Sequence, residues 1–322
     1  MIKTALVFPG QGAQYTGMAK DLYDSFEEAK TVIDEANSVL DFDLINMMND
    51  EESKDLLSKT ENTQPALLTH SMAIMKILSK YDNFKYDACL GLSLGEYSAL
   101  TAANAIDFKD AVELVRKRGL IMSNEVADGE GAMCAVIGAS RELIEECILK
   151  LESGVVEIAN YNSPAQIVIS GEKEAVEEAA TILKENGAKR AIMLDVSGPF
   201  HSSLLKGAGE KLKLELEKTD MREPEVLVVS NVDAKTHKDP SEIKEILVKQ
   251  VYSSVLWEDS ISSLIDAGFD RFIEIGPGKT LRAFIKKIAS KKKADVDIVN
   301  LDTAADVNAF IESIGGEAND NK

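Results

Sequence analysis

Residues 87–102 read DACLGLSLGEYSALTA, and the way this stretch folds decides the architecture. Asp87 to Gly91 is a short apolar run closed by a glycine, the pattern of a buried strand. EYSALTAAN, from Glu96 onward, is helix-prone. Between them Gly91-Leu92-Ser93-Leu94-Gly95 fits G-x-S-x-G, a sharp strand-to-helix turn that lifts a serine oxygen above the edge of a sheet. Flanking glycines allow the close backbone approach such a turn needs. The Leu94 N–H, at the helix start, can face a developing oxyanion, and the helix dipole adds to it. A glycine- and serine-rich turn without chemistry carries the same letters, so the surroundings must discriminate.

Outward from this elbow, TALVF (4–8) is a strand feeding the loop PGQGAQ, and residues 17–40, 64–80 and 107–127 read as helices. In the second of these, Leu67, Leu68, Ser71, Met72, Met75 and Leu78 share one face. From about residue 129 the rhythm changes. GAMCAVIG, SRELIEECILKL (with Ser140 as N-cap), VVEIANYN, QIVISG, EKEAVEEAATILKENG and KRAIMLDVS run strand, helix, strand, strand, helix, strand. That order is the ferredoxin-like split βαβ pattern. The first rhythm then resumes, with strands at 226–230, 271–276 and 297–301 and helices at 240–252, 258–267 and 280–289. Strands separated by helices imply a parallel sheet covered on both faces. The expected fold is α/β. A parallel-sheet, α/β-hydrolase-like large domain (1–128 and 198–310) carries an inserted ferredoxin-like (βαββαβ) small subdomain (129–197), and 311–322 form a polar tail.

Composition narrows the function classes. The 322 residues are 45% apolar and 28% charged, an ordinary globular balance. With 36 Lys and Arg against 55 Asp and Glu, the net charge of −19 argues against a nucleic-acid partner. Three cysteines (Cys89, Cys134 and Cys147) without C-x-x-C spacing suit reduced thiols, not a disulfide framework or a zinc site. No stretch has the roughly 18–20 apolar residues of a membrane span, and Ala5 to Phe8 is too short for a signal-peptide core. A soluble cytoplasmic monomer, with no membrane association, metal or other cofactor, is expected.

A serine nucleophile needs a base, and the chain has three histidines. His70 lies within a helical, largely apolar segment, and His237 lies in a charged loop, NVDAKTHKDP. His201 follows Ser197-Gly198-Pro199-Phe200 in a strand-to-helix loop, where reactive side chains are usually presented. His201 is therefore the candidate base.

Taken together, FPGQGAQ (8–14), TQPAL (63–67), GLSLGEYSAL (91–100), RKRG (116–119), GAM (131–133), NSPAQIVISG (162–171), SGPFHS (197–202), VKQVYSSVLW (248–257) and EIGPGKTL (274–281) resemble the malonyl-CoA:acyl-carrier-protein transacylases. The chain is also similar to polyketide synthase acyltransferase domains, over roughly residues 3–300. The resemblance implies malonyl transfer from malonyl-CoA to the phosphopantetheine thiol of acyl carrier protein, through a malonyl-serine, in support of fatty acid synthesis. It implies Ser93 as nucleophile and His201 as base. Backbone N–H groups of Gln11 and Leu94 would form the oxyanion hole, and Arg118 would grip the malonyl carboxylate. A main-chain carbonyl at Gln250 would orient the imidazole, and Phe200 would limit acyl size. From the residues alone, Arg118 reads equally as a surface charge on an amphipathic helix. The family often has histidine where this chain has Leu92. An acidic carrier would need a local basic patch, for which Arg282, Lys286, Lys287 and Lys291 to Lys293, or separately Lys189 and Arg190, are candidates. A serine esterase or thioesterase, with Asp195 as the acid, shares the elbow and histidine. A non-catalytic carrier-docking module is the third reading.

Overall fold

The structure is a computed structural model and describes residues 2–127, 129–196 and 198–316. Its nine named strands are β1 (Thr4–Phe8), β2 (Ala88–Gly91), β3 (Gly131–Ile137), β4 (Val156–Ser163), β5 (Gln166–Glu172), β6 (Arg190–Met193), β7 (Leu227–Val229), β8 (Arg271–Ile275) and β9 (Asp297–Leu301). They form two sheets. The larger is wholly parallel in the order β7-β2-β1-β8-β9. Strand order reverses at β1, so a crevice opens at the carboxyl ends of β1 and its neighbours, the usual ligand position in such sheets. The loop after Phe8 and the elbow after Gly91 leave the sheet side by side, because Phe8 and Gly91 are register partners.

The smaller sheet is antiparallel in the order β4-β5-β3-β6. Counting from β3 as the first of its strands, this is the 2-3-1-4 arrangement of a split βαβ unit. Its helices, Arg141–Ile148 and Lys173–Glu185, cover one face. Alternation along β3 shows the consequence. Cys134 and Val136 pack under those helices, whereas Met133 and Ala135 join the core of the large domain. The small sheet is also stitched by backbone to the large domain: Tyr161 N–H donates to the Val255 carbonyl and Val255 N–H to that of Ala159, just before the helix Trp257–Asp266.

Several elements differ from the sequence expectation. The stretch 17–40 is two helices, Lys20–Ser25 and Glu27–Asn37, broken where Phe26 adopts an extended conformation. Short helices at Leu44–Asn49 and Lys54–Ser58 follow, which the apolar pattern does not announce. The chain is not a tail from residue 311. A helix runs Ala304–Ser313, started by a capping box in which Thr303 and Asp306 bond reciprocally and held down by buried Phe310 and Ile311. Residues 317–322, the expected joints at 128 and 197, and Met1 lie outside the described residues. Among those described, no helix is long and apolar enough to cross a membrane.

At the elbow the helix Leu94–Ala102 starts pressed against β1. A Cβ on Gly95 would lie 2.1 Å from the Phe8 carbonyl oxygen, and one on Gly91 would lie 1.9 Å from the Gly95 carbonyl carbon. Both contacts are with backbone, which cannot swing aside. Gly95→Ala is expected to destabilise the fold by about 1–3 kcal/mol or more, read as a lowered urea midpoint. An unchanged midpoint would show that the helix start can retreat from β1.

Candidate active site

Ser93 sits at φ 54°, ψ −103°, a left-handed conformation costly for any residue with a Cβ. Its neighbours hold it there. Ser93 N–H donates to Asn231 Oδ1 at 2.7 Å, and Asn231 Nδ2 donates to the Gly91 carbonyl at 2.7 Å. His201 is also left-handed, at φ 59°. Strain is thus placed on both reactive residues, and packing over-determines it.

The dyad is closed. His201 Nε2 is 2.8 Å from Ser93 Oγ, and Nδ1 is 2.8 Å from the Gln250 main-chain oxygen. A carbonyl can only accept, so Nδ1 carries the hydrogen and Nε2 is left to accept the serine proton. No carboxylate takes part in this arrangement: Asp195 is exposed, and the place of a triad acid is filled by Gln250. Burial first, and then the nearby Arg118 cation, push the His201 pKa down from 6.5 to about 4. The imidazole is therefore neutral and competent as a base at neutral pH.

The sequence RKRG is sorted by packing. Lys117 pairs with Glu215 at the surface, and Arg116 bonds Asn62 Oδ1 and stacks over Phe42. Arg118 alone turns fully inward, at 1% exposure. Its Nη1 donates to Gln64 Oε1 at 2.8 Å, and its Nη2 to Gln250 Oε1 at 2.9 Å and Ser93 Oγ at 3.1 Å. Its guanidinium lies 5.1 Å from the Tyr97 ring centroid, and burial lowers its pKa. All these direct partners are uncharged. A buried guanidinium whose direct partners are all uncharged is suited to hold an anion.

The cavity above the dyad has a volume of about 230 Å³. Gln11, Leu92, Ser93, Leu94, Arg118 and His201 all line it. Leu94 N–H is the first of its helix and lacks a carbonyl four residues back. Gln11, which lines the cavity, is anchored by its side chain, whose Nε2 donates to Thr60 Oγ1 at 3.1 Å. Phe200 is both core and wall: it is buried in the main cluster and lines the same cavity. Leu92 presents an apolar side chain there and no polar group.

His70 and His237 lie elsewhere. His70 is wholly buried, 3.5 Å from Asp302, and burial lowers its pKa to about 4. His237 bridges Asp233 and Glu242. The basic candidates lie on two separate elements, and none of them lines the cavity itself. Arg282, Lys286 and Lys287 are exposed on the helix Thr280–Lys292, whose first turn lines the cavity. Lys189 and Arg190 are exposed where β6 begins, and Leu194 beyond that strand lines the cavity from the other side. Lys291 and Lys292, by contrast, are paired with Glu258 and Asp266. Among the described residues, no group of three His, Cys, Asp or Glu is placed to hold a metal ion.

Three site residues escaped the sequence reading. Gln64 and Glu96 lie inside the quoted segments TQPAL and GLSLGEYSAL but carried no assigned role. Asn231 directly follows the strand next to β2, so its place at the same sheet edge was the available signal.

The family model described as acyl transferase domain matches residues 5–310. The malonyl CoA-acyl carrier protein transacylase of Bacillus subtilis (strain 168) is 48% identical over 295 residues, 91% of this chain and 92% of that protein. A solved malonyl CoA-acyl carrier protein transacylase from Clostridium perfringens superposes with a TM-score of 0.91 at 44% identity, covering 97% of each chain. A malonyl-transacylase solved in complex with its type II PKS acyl-carrier protein gives 0.92 at 38% identity, covering 97% of this chain and 99% of that one.

A neutral fluorophosphonate should label Ser93 at a rate governed by His201 protonation alone. Protonated imidazole cannot accept the serine proton, so the rate falls as pH drops. It is expected to hold steady through pH 6.5 and halve only near the depressed value of about 4. A midpoint at 6.5 would mean that the imidazole is solvated and not desolvated as described.

Proposed function

The chain belongs to the acyl transferase domain family, and on that basis we infer that it is an [acyl-carrier-protein] S-malonyltransferase that takes malonyl from malonyl-CoA and supplies fatty acid synthesis. One observation carries the choice of acyl group. The inward guanidinium of Arg118, free of any contacting carboxylate, lies 3.1 Å from the candidate nucleophile oxygen. A carboxylate seated on that guanidinium can be only a short chain away from a carbonyl at Ser93. Malonyl, with one methylene between its two carbonyl carbons, fits; succinyl is one carbon too long.

The chemistry follows from the hydrogen bonds. Ser93 Oγ passes its proton to His201 Nε2 and attacks the thioester carbon. The oxyanion faces the N–H groups of Gln11 and Leu94, each worth roughly 3–4 kcal/mol of barrier. Collapse breaks the C–S bond, and the imidazolium returns the proton to the departing CoA thiolate. The carrier's phosphopantetheine thiol then gives its proton to Nε2 and attacks the malonyl-serine ester, and the serine leaves with that proton. Two half-reactions through one covalent intermediate give ping-pong kinetics. The malonyl carboxylate, in neutralising Arg118, also removes one of the causes that weaken His201 as a base.

Docking of the carrier is read onto the mouth of the cavity. Arg282, Lys286 and Lys287 on one wall, and Lys189 and Arg190 on the other, offer local positive charge against the chain's net −19. The apolar edge beside Arg190, with Ile192, Met193 and Leu194 exposed, adds surface that a carrier helix can cover. A monomer in the cytoplasm remains the reading, resting on composition and cysteine usage.

Radiolabelled malonyl-CoA tests the function directly: labelled protein, and then labelled carrier, is expected, whereas free malonate would indicate a hydrolase and no label a binder. In that assay Arg118→Ala should lower malonyl transfer by roughly two to four orders of magnitude, from about 3–5 kcal/mol for an unpaired buried carboxylate, and should spare acetyl transfer. An unchanged malonyl-to-acetyl ratio would remove Arg118 from the site. Phe200→Ser should widen acceptance of methylmalonyl-CoA. Charge reversal at Lys286 and Lys287 should raise KM for the carrier but not for malonyl-CoA, and equal effects on both would discard that wall as the dock.

A further inference from the structure

Glu96 is a carboxylate at 3% exposure, three residues after the candidate nucleophile, and the mechanism above does not use it. One of its oxygens, Oε2, accepts two hydrogen bonds: from Gln250 Nε2 at 2.7 Å and from the Asn231 main-chain N–H at 3.0 Å. Each donor leads to a different part of the reacting set. Gln250 continues through Oε1 to Arg118 and through its main-chain carbonyl to His201, and its Nε2 also bonds the Ser93 carbonyl at 3.0 Å. Asn231 continues through its side chain to Ser93 N–H and the Gly91 carbonyl.

The direction of the Gln250 amide matters. Turned the other way, its NH2 group would face the guanidinium, donor against donor, and Arg118 would lose a partner. An ionised carboxylate only accepts and a guanidinium only donates. Glu96 at one end and Arg118 at the other therefore allow a single orientation. The same amide separates the two charges. Glu96 offers a buried cation its counter-charge through one intervening group, so the face of Arg118 turned to the cavity stays open for a substrate anion. A carboxylate in direct contact would fill that face.

We propose that Glu96 is the positioning residue of this site: one oxygen sets the Gln250 amide that aims Arg118 and the Asn231 segment that holds the Ser93 elbow, and its charge balances Arg118 without touching it. The proposal rests on the reading of Arg118 as the malonyl-carboxylate site.

Glu96→Ala and Glu96→Gln test it, each checked by thermal melting. Two readouts are taken at about pH 8.5, above the Glu96 value of about 7, so that the carboxylate is ionised: the rate of Ser93 labelling by a neutral fluorophosphonate, and kcat and KM for malonyl-CoA and acetyl-CoA. Glu96→Ala orphans both donors. Its kcat with malonyl-CoA should fall about a hundredfold through misplacement, its labelling should slow, and its malonyl preference should collapse. Glu96→Gln keeps an acceptor oxygen but no charge. It should recover labelling, and its KM for malonyl-CoA should fall about three- to tenfold relative to that for acetyl-CoA, because Arg118 is less well balanced.

Labelling and malonyl-to-acetyl ratio within twofold of the parent in both variants would overturn the proposal. So would equal loss in both variants at an unchanged ratio, which is the signature of a packing role. If Glu96→Ala does not fold, the ratio in Glu96→Gln decides alone. A parent protein that takes the fluorophosphonate but no malonyl would defeat the substrate reading. The labelling arm would then still decide whether Glu96 holds the elbow.

Discussion

The end of β1 and the start of the helix Leu94–Ala102 meet backbone to backbone, and the site depends on that contact. The Phe8 carbonyl accepts from Leu92 N–H at 3.1 Å and also faces the Gly95 Cα, where a Cβ has no room. Gly10, just beyond β1, is under the same constraint from the Leu92 carbonyl. Parallel pairing of neighbouring strands brings these segments level, and glycine lets them close. Only then do the first N–H of the helix, the loop carrying Gln11 and the strained serine border one cavity. The hydrophobic core supplies most of the free energy of folding, but this approach decides where the chemistry can be.

Above that contact the site is an exercise in burying charge with few countercharges. Arg118 touches amides, a hydroxyl and an aromatic face, and its nearest carboxylate is one amide away. Burial lifts the Glu96 pKa to about 7, against the pull of its hydrogen bonds and of Arg118, and the same burial weakens His201 as a base. The set is poised for a ligand that brings one negative charge and accepts paired N–H donors.

Much of this was legible in the sequence, for physical reasons that differ by element. The elbow could be read because glycine is required where backbones touch, and the small sheet because strand alternation and helix periodicity switch four times between 131 and 193. His201 could be read because there were only two rivals. The orientation of RKRG could not, since three adjacent charges on one helix differ only in what other helices place beside them. Asn231 lies 138 positions from Ser93 and Glu96 lies 154 from Gln250, so their hydrogen bonds exist only after the sheet has formed. The helix Ala304–Ser313 was missed although its start signal, Thr303 with Asp306, was present in the letters.

Because the imidazole leans on a neutral carbonyl, its conjugate acid has no adjacent anion to stabilise it. Such a base is weak, and takes protons only from groups that hold them loosely. An alkyl thiol, near 8.5, is within reach; water holds its proton far more tightly. On the proposed reaction, the peptide oxygen of Gln250 would therefore favour sulfur over solvent as the acceptor of cargo from an acylated serine.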